Sequence, residues 1–297
     1  MVAKLHYEAE MSQVDIARRL GVSTATISRL LQRARAEGIV RIEVLDVVTP
    51  EDITNQLVAA LGLKKAAVIE APVTGALPAL AAPLGALLKE AVLSPGSVLG
   101  IGWGRAIREV IRTGLPRLPG VLTVPATGGM QQQAPHFQIN EFVRLAAEQL
   151  GGTPHFIHAP YLPSAELREA FLSDAAIRDS VSLWDRVSVA IVGVGLPHAT
   201  NPPEASAATP SEQALVHAAG DVIRHYFDAD GNLIPWEGEA RMIAMSPAQL
   251  RAVPLVIGIA ASPVKAAAII GAVRAKLINA LVTDTKTAQA ILESLAK

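Results

Sequence analysis

A chain of 297 residues that is 51% apolar and only 18% charged has material for one large core plus a smaller module, and is too long to be a lone recognition module. It contains no cysteine, which excludes disulfides, thiolate metal sites and cysteine nucleophiles, and its seven histidines show neither HExxH nor His-x3-His spacing, so no metal and no cofactor is expected. The formal net charge is −1, no apolar run reaches the roughly 18 residues of a membrane span, and Met1–Glu10 carries charge of both signs with no apolar signal stretch, so a cytoplasmic protein with no membrane partner is the expectation.

Ser12 to Leu20 reads as a short helix, with Ser12 as N-cap, Asp15 completing a capping-box-like start, and Ile16, Ala17 and Leu20 on one face. Gly21 supplies the positive φ that ends it, and Val22 closes the turn against the apolar face. Ser23 caps a second helix, Thr24 to about Glu37, with Ile27, Leu30, Leu31 and Ala34 as its inward stripe. Two short helices joined by a glycine turn, the second longer and arginine-bearing, form a helix-turn-helix pattern; the competing reading is an ordinary helical hairpin with a solvated basic face. The start of such a second helix points into a DNA major groove, so Ser23, Thr24, Thr26 and Ser28 are candidates for base edges, beside the small Ala25. Gln13, Arg29 and Arg33, with Arg35 behind them, suit phosphates, which fix position without reading sequence. Residues 1–45 hold seven Lys/Arg against five acids, an excess of the right sign for nucleic acid. Ile39–Val44 alternates like a strand, a wing or a lead into a linker.

Thr49-Pro50-Glu51 opens a new helix and marks the boundary between a DNA-binding domain, 1–48, and a larger domain, 49–297. Strands are predicted at Ala66–Glu70, Ser97–Ile101, Gly120–Pro125, Thr153–His158, Arg186–Val192, Asp221–Phe227, Val253–Ala260 and Leu277–Thr283. Helices are predicted at Ala76–Leu93, Arg105–Thr113, Ile139–Leu150, Ser164–Phe171, Val264–Ala275 and Asp284–Leu295. Val- and Ile-rich strands alternating with helices give an α/β class with a mostly parallel sheet covered on both faces, and ligands of such sheets bind at the strands' carboxyl ends. Residues 197–213, with four prolines, read as a mobile loop.

Three strand ends carry chemistry. Gly100-Ile101-Gly102-Trp103-Gly104-Arg105 runs from strand to helix, where glycines admit a ligand and free N–H groups meet an anion; a close-packing turn is the bland alternative. Its G-x-G-x-G spacing, with no acid ending the next strand, argues against a nicotinamide cofactor. Thr127-Gly128-Gly129, followed by Gln131, Gln132, Gln133, Gln138 and Asn140, offers amides to a sugar or forms a solvated loop. Ala261-Ser262-Pro263-Val264-Lys265 puts a cation in a helix's first turn, a poor place for lysine unless it meets an anion. Asp221, Asp228 and Asp284 sit at element ends: Asp284 caps the last helix, and Asp228–Asn232 is a turn lacking the glutamate of a calcium loop. His155 and His158 flank a strand as packing residues.

In this order the pieces resemble the SorC family of bacterial sugar-responsive regulators along essentially the whole chain. The resemblance is carried by Gln13–Arg35, by Gly96-Ser97-Val98-Leu99-Gly100-Ile101-Gly102-Trp103-Gly104-Arg105, by Gly220-Asp221 and Phe227-Asp228-Ala229-Asp230-Gly231, and by Lys265–Ile269 with Leu281-Val282-Thr283-Asp284. It implies an effector domain with a fold like that of sugar-phosphate isomerases and glucosamine-phosphate deaminases, a carbohydrate or sugar-phosphate effector, and assembly as a homodimer or homotetramer. Carried over by position, Gly102, Gly104, Arg105 and Lys265 would contact phosphate, and Gly128, Gly129, Gln138, Asn140 and Asp221 the sugar. Ala106 departs from the family's usual threonine, and Ala261–Val264 from a more glycine-rich approach to the lysine.

The expected function is a DNA-binding transcription regulator, a repressor in type, whose grip on operator DNA is set by its effector rather than by catalysis. The alternative is a sugar-phosphate isomerase or deaminase carrying a vestigial DNA-binding domain, with Asp221, Asp228 or Asp284 as its base.

Overall fold

The computed structural model describes residues 1–40, 49–72, 75–130, 138–198 and 208–296, in two compact units, Met1–Val48 and Thr49–Lys297. In the first unit α1 (Val2–Tyr7), α2 (Gln13–Leu20) and α3 (Thr24–Ala36) pack around Ile16, Ala17, Ile27 and Leu31. The helices α2 and α3 start on serines whose hydroxyls accept the N–H three residues on: Ser12 from Asp15 at 3.1 Å and Ser23 from Thr26 at 3.2 Å. Gly21 ends α2 in the left-handed region at φ 66°.

Two expected core positions are corrected, since Leu30 is 43% and Val22 41% exposed. Ile27, Leu31 and Ala34 share one face of α3, and Leu30 lies about 60° off it at roughly 100° per residue. A three-helix unit has no further layer to cover that edge. The helix α1 was not foreseen: it has no side-chain cap and only six residues, so it forms because Val2, Ala3 and Leu5 pack on the other two helices. The strand expected at Ile39–Val44 lies, from Arg41 on, outside the described residues.

The second unit opens with α4 (Pro50–Leu61), where Thr49 and Asp52 form a capping box and Pro50 takes the first helical position. The chain continues through β1 (Lys65–Ile69), α5 (Ala76–Ala79), α6 (Ala81–Glu90), β2 (Val98–Ile101), α7 (Arg105–Thr113), β3 (Leu122–Pro125), α8 (Ile139–Leu150) and β4 (Thr153–Pro154). Then come α9 (Ala165–Ser173), α10 (Ala175–Ser182), β5 (Val187–Gly193), α11 (Pro210–Gln213), β6 (Gly220–Val222), β7 (His225–Phe227) and β8 (Leu233–Ile234). The last elements are α12 (Pro247–Ala252), β9 (Leu255–Ile259), α13 (Ala266–Arg274), β10 (Ala280–Asp284) and α14 (Thr285–Leu295).

Seven strands form one parallel sheet in the order β1-β10-β9-β5-β2-β3-β4. The chain steps outward from β2 to β4, returns, and steps outward the other way from β5 through β9 to β10, so the topology switches direction between β2 and β5. Ligand crevices open at such switch points. Strand residues alternate between two cores: Val98, Ala190 and Leu281 pack with α4, α10, α13 and α14, while Leu99, Ile191 and Val282 pack with α6, α7 and α8.

Several predicted elements change. Asp221–Phe227 is not one strand of the main sheet but the hairpin β6–β7, which with β8 makes a separate antiparallel sheet. Ile223 and Arg224 turn the chain at φ 44° and 68°, with no Gly, Asn or Pro to announce it. The predicted helix Ala76–Leu93 breaks into α5 and α6 because Pro83 has no N–H for the Ala79 carbonyl. Thr153–His158 keeps only two strand residues, and α10, α11 and α12 were not foreseen. Of the expected mobile loop, 199–207 lies outside the described residues, and Pro210–Gln213 is helical.

Candidate effector cavity and DNA face

On the first unit Thr24, Ser28, Arg29 and Arg33 are exposed along α3, and Gln13 and Thr26 are half-buried. The Ser23 hydroxyl is occupied: it accepts the Thr26 N–H and lies 2.9 Å from Thr26 Oγ1, so this pair shapes the helix start before it touches anything else. The Arg29 Nε donates to the Ala25 carbonyl at 3.4 Å. Arg33 pairs with Glu37 at 2.7 Å, which raises its pKa above the ordinary value; the pair is exposed, so Arg33 can exchange it for a phosphate.

In the second unit a cavity of about 490 Å³ opens at the carboxyl ends of β2, β5 and β9. Trp103–Ala106 follows β2, Gly193–Leu196 and His198 follow β5, and Ala261, Ser262, Val264 and Lys265 follow β9, while the β6–β7 hairpin adds Asp221, Ile223 and Arg224. Gly104, Arg105, Asp221 and Lys265, expected from the sequence to meet the effector, thus share one wall system. Gly104 stands at φ 120°, a conformation for glycine, and starts α7 with Arg105 as its first residue.

Gly102, Gly128, Gly129, Gln138 and Asn140 do not line this cavity. Gly102 seats β2 against β5: its N–H donates to the Ile191 carbonyl at 2.8 Å, and a Cβ would lie 3.3 Å from Val192 Cα. Gly128 crosses the 159–160 backbone so closely that a Cβ would lie 2.7 Å from the Ala159 oxygen, and the Gly129 N–H donates to that same oxygen at 2.8 Å. Asn140 uses both ends of its amide on Ile157, donating at 3.1 Å and accepting at 3.3 Å. Gln138 is exposed at the start of α8, and Gln131–Gln133 lie outside the described residues.

The deepest part of the wall was missed in the sequence. Arg224 is 2% exposed and Glu212 fully buried, and they pair at 3.3 Å. Glu212 also accepts from Tyr226 at 2.8 Å, from Tyr161 at 3.4 Å, and from the Thr209 N–H and hydroxyl at 2.7 and 2.8 Å. The Arg224 guanidinium lies over the rings of Trp103 and Tyr161, at 5.6 and 5.9 Å from their centroids. Burial opposes its charge, but Tyr226, Glu212 and Asp221 outweigh burial and raise its pKa. Burial, reinforced by Glu212, pushes Tyr161 up to about 12. The available signal was a run of charged and polar residues, Asp221, Arg224 and His225, inside a segment otherwise reading as buried strand.

Asp221 is 6% exposed; its Oδ2 accepts the Arg224 N–H at 3.0 Å, and its Oδ1 lies 3.7 Å from His198 Nε2. Only a glycine fits at 195, because a Cβ there would overlap Asp221 Oδ1. Lys265 Nζ donates to the Val194 carbonyl at 2.6 Å; burial pulls its pKa down, Asp221 opposes that, and Arg105 adds to it. The cavity therefore offers two cations beside the start of α7, for an anion, and a fixed carboxylate for hydroxyl protons. Among the described residues no cluster of His, Asp or Glu is arranged to hold a metal.

A helix-turn-helix and an α/β unit with a cavity at its switch point, in one chain, define a DNA-binding transcription regulator with a ligand-binding domain. Residues 46–293 match the family described as Putative sugar-binding domain, and residues 4–37 match Sigma-70, region 4. The chain is 33% identical to the Sorbitol operon regulator of Klebsiella pneumoniae, over 98% of this chain and 96% of that protein. It is 27% identical to the Deoxyribonucleoside regulator of Bacillus subtilis (strain 168), over 99% and 96% of the two chains. The crystal structure of full-length SorC from Klebsiella pneumoniae superposes with a TM-score of 0.74 at 32% identity, covering 98% of this chain and 97% of that one. The chain belongs to the SorC family of sugar-binding transcriptional regulators.

Proposed function

We propose that residues 1–48 bind operator DNA and residues 49–297 bind a carbohydrate or sugar-phosphate effector in the switch-point cavity, and that this binding resets operator affinity. The observation that carries the reading is the convergence of Arg105, Lys265 and Asp221 on one cavity of about 490 Å³, a volume suited to a small metabolite. Relatives named for a sorbitol operon and for deoxyribonucleosides support a polyhydroxylated effector. On α3, Thr24, Thr26 and Ser28 meet base edges, while Gln13, Ser23, Arg29 and Arg33 hold the backbone. One such helix reads few base pairs, so a homodimer or homotetramer on a palindromic operator in the cytoplasm completes the proposal.

The proposed role is not catalytic. Asp284 is occupied capping α14, accepting from the Thr287 N–H and hydroxyl at 2.9 Å each. Asp228 closes a turn, accepting from the Asp230 and Asn232 N–H groups at 2.9 Å. His198 near Asp221, a neighbour the sequence did not show, is the one arrangement that favours the enzymatic alternative. Operator binding measured with and without sorbitol 6-phosphate, fructose 6-phosphate, 2-deoxyribose 5-phosphate and free sorbitol tests the regulator. A change of affinity or oligomeric state with one of them supports it; none, together with turnover lost in Asp221→Asn, favours the enzyme.

A further inference from the structure

We propose that His198 selects the effector by its oxygen pattern: its Nδ1–H donates to a hydroxyl or carbonyl oxygen of the bound sugar, beside an Asp221 carboxylate that takes hydroxyl protons. This rests on the reading of the cavity as the effector site. The His198 ring lines that cavity, and its side chain is only 10% exposed. Its Nε2 lies 2.6 Å from Arg224 Nη1. A guanidinium can only donate, so Nε2 must present its lone pair, and the ring proton sits on Nδ1. Among the described residues that buried Nδ1 has no hydrogen-bond partner. A buried donor left unmade is costly, and a ligand oxygen is the simplest way to satisfy it.

The surroundings hold the ring in this state. Burial lowers its pKa and Arg224 lowers it further, against Asp221 and Glu212, while the Tyr226 ring packs edge-on at 5.7 Å. Protonation would place a second donor against Arg224, so the neutral Nδ1–H tautomer is the one the wall accepts. Donor and acceptor then stand together, with Asp221 Oδ1 3.7 Å from the same ring. A sugar hydroxyl accepts from one and donates to the other, whereas a phosphate would be repelled by the carboxylate. The His198–Asp221 side therefore reads hydroxyls, and Arg105 and Lys265 take the anion.

The test compares ligands on the full-length protein by titration calorimetry: inorganic phosphate, sorbitol 6-phosphate, fructose 6-phosphate and 2-deoxyribose 5-phosphate. His198→Gln keeps an oxygen for Arg224 but has no donor at the Nδ1 position, and His198→Asn restores an N–H there. The expected result is about ten- to a hundredfold weaker binding of the best sugar phosphate to His198→Gln, recovery of most of it in His198→Asn, and unchanged binding of inorganic phosphate. On the unaltered protein, at least one single-deoxy analogue of the best ligand must lose a similar factor, and that loss must vanish in His198→Gln. If His198→Gln binds the sugar phosphate within twofold of wild type, or the deoxy penalty persists in it, the His198 assignment falls and the effector reading stands. If no sugar phosphate binds wild type, both fall.

Discussion

The Glu212–Arg224 pair gives the sharpest prediction. Glu212 is fully buried and Arg224 2% exposed, so removing either charge strands the other out of water. Arg224→Met leaves the carboxylate with its Tyr226 and Thr209 hydrogen bonds but no cation, which should cost about 3 kcal/mol, the lower end for breaking a buried pair. Glu212→Gln keeps most of the side-chain shape and leaves Arg224 facing Asp221, for a cost of about 2 kcal/mol. The double variant removes both charges together, so it should cost about 2 kcal/mol less than the two single losses combined. At roughly 2–4 °C per kcal/mol for a domain of this size, the single losses are well resolved in a melt. All three tryptophans, Trp103, Trp184 and Trp236, lie in the second unit, so intrinsic fluorescence follows that unit's unfolding. Additive single losses, or losses below 1 kcal/mol, would refute the claim that the two charges compensate each other.

Three further outcomes are expected. Lys265 is held below its ordinary pKa, and an anionic ligand raises it, so binding takes up a proton once the pH exceeds the free-state value; sugar-phosphate affinity should fall at alkaline pH, and calorimetry should find that slope gone in Lys265→Met. Arg29→Ala should weaken operator binding about tenfold, lower the salt slope by about one, and leave the ranking of operator sequences unchanged in gel-shift assays. Gly21→Ala meets no atom within 4 Å but keeps φ at 66°, so its cost is conformational, about 1–2 kcal/mol; a circular-dichroism melt and a matching loss of operator affinity would show it.

The helix-turn-helix was legible because its determinants are local. Caps at Ser12 and Ser23, the left-handed Gly21 and the spacing of Ile16, Ile27 and Leu31 act within a few residues of one another, and each took the form the sequence expected. The parallel sheet was legible because strands buried on both faces need long apolar runs, and Gly104, Arg105 and Lys265 could be placed because strand ends converge in such folds. Leu30 and α1 were misread because burial at the edge of a small unit depends on what stands opposite, which local periodicity does not record.

The sequence by itself therefore determined the two units' elements, their class and one cation-bearing end of the cavity, since those follow from nearest-neighbour chemistry and strand patterning. Only the tertiary structure decided the other end. Glu212, Arg224, His198 and Asp221 come from separate segments, and the hairpin that aims Arg224 inward turns on Ile223-Arg224, residues with no turn preference. That turn is held by Asp221 accepting the Arg224 N–H and by a buried carboxylate waiting for the guanidinium. Such a contact has no signature along the chain, because its free energy exists only once both partners have left water together.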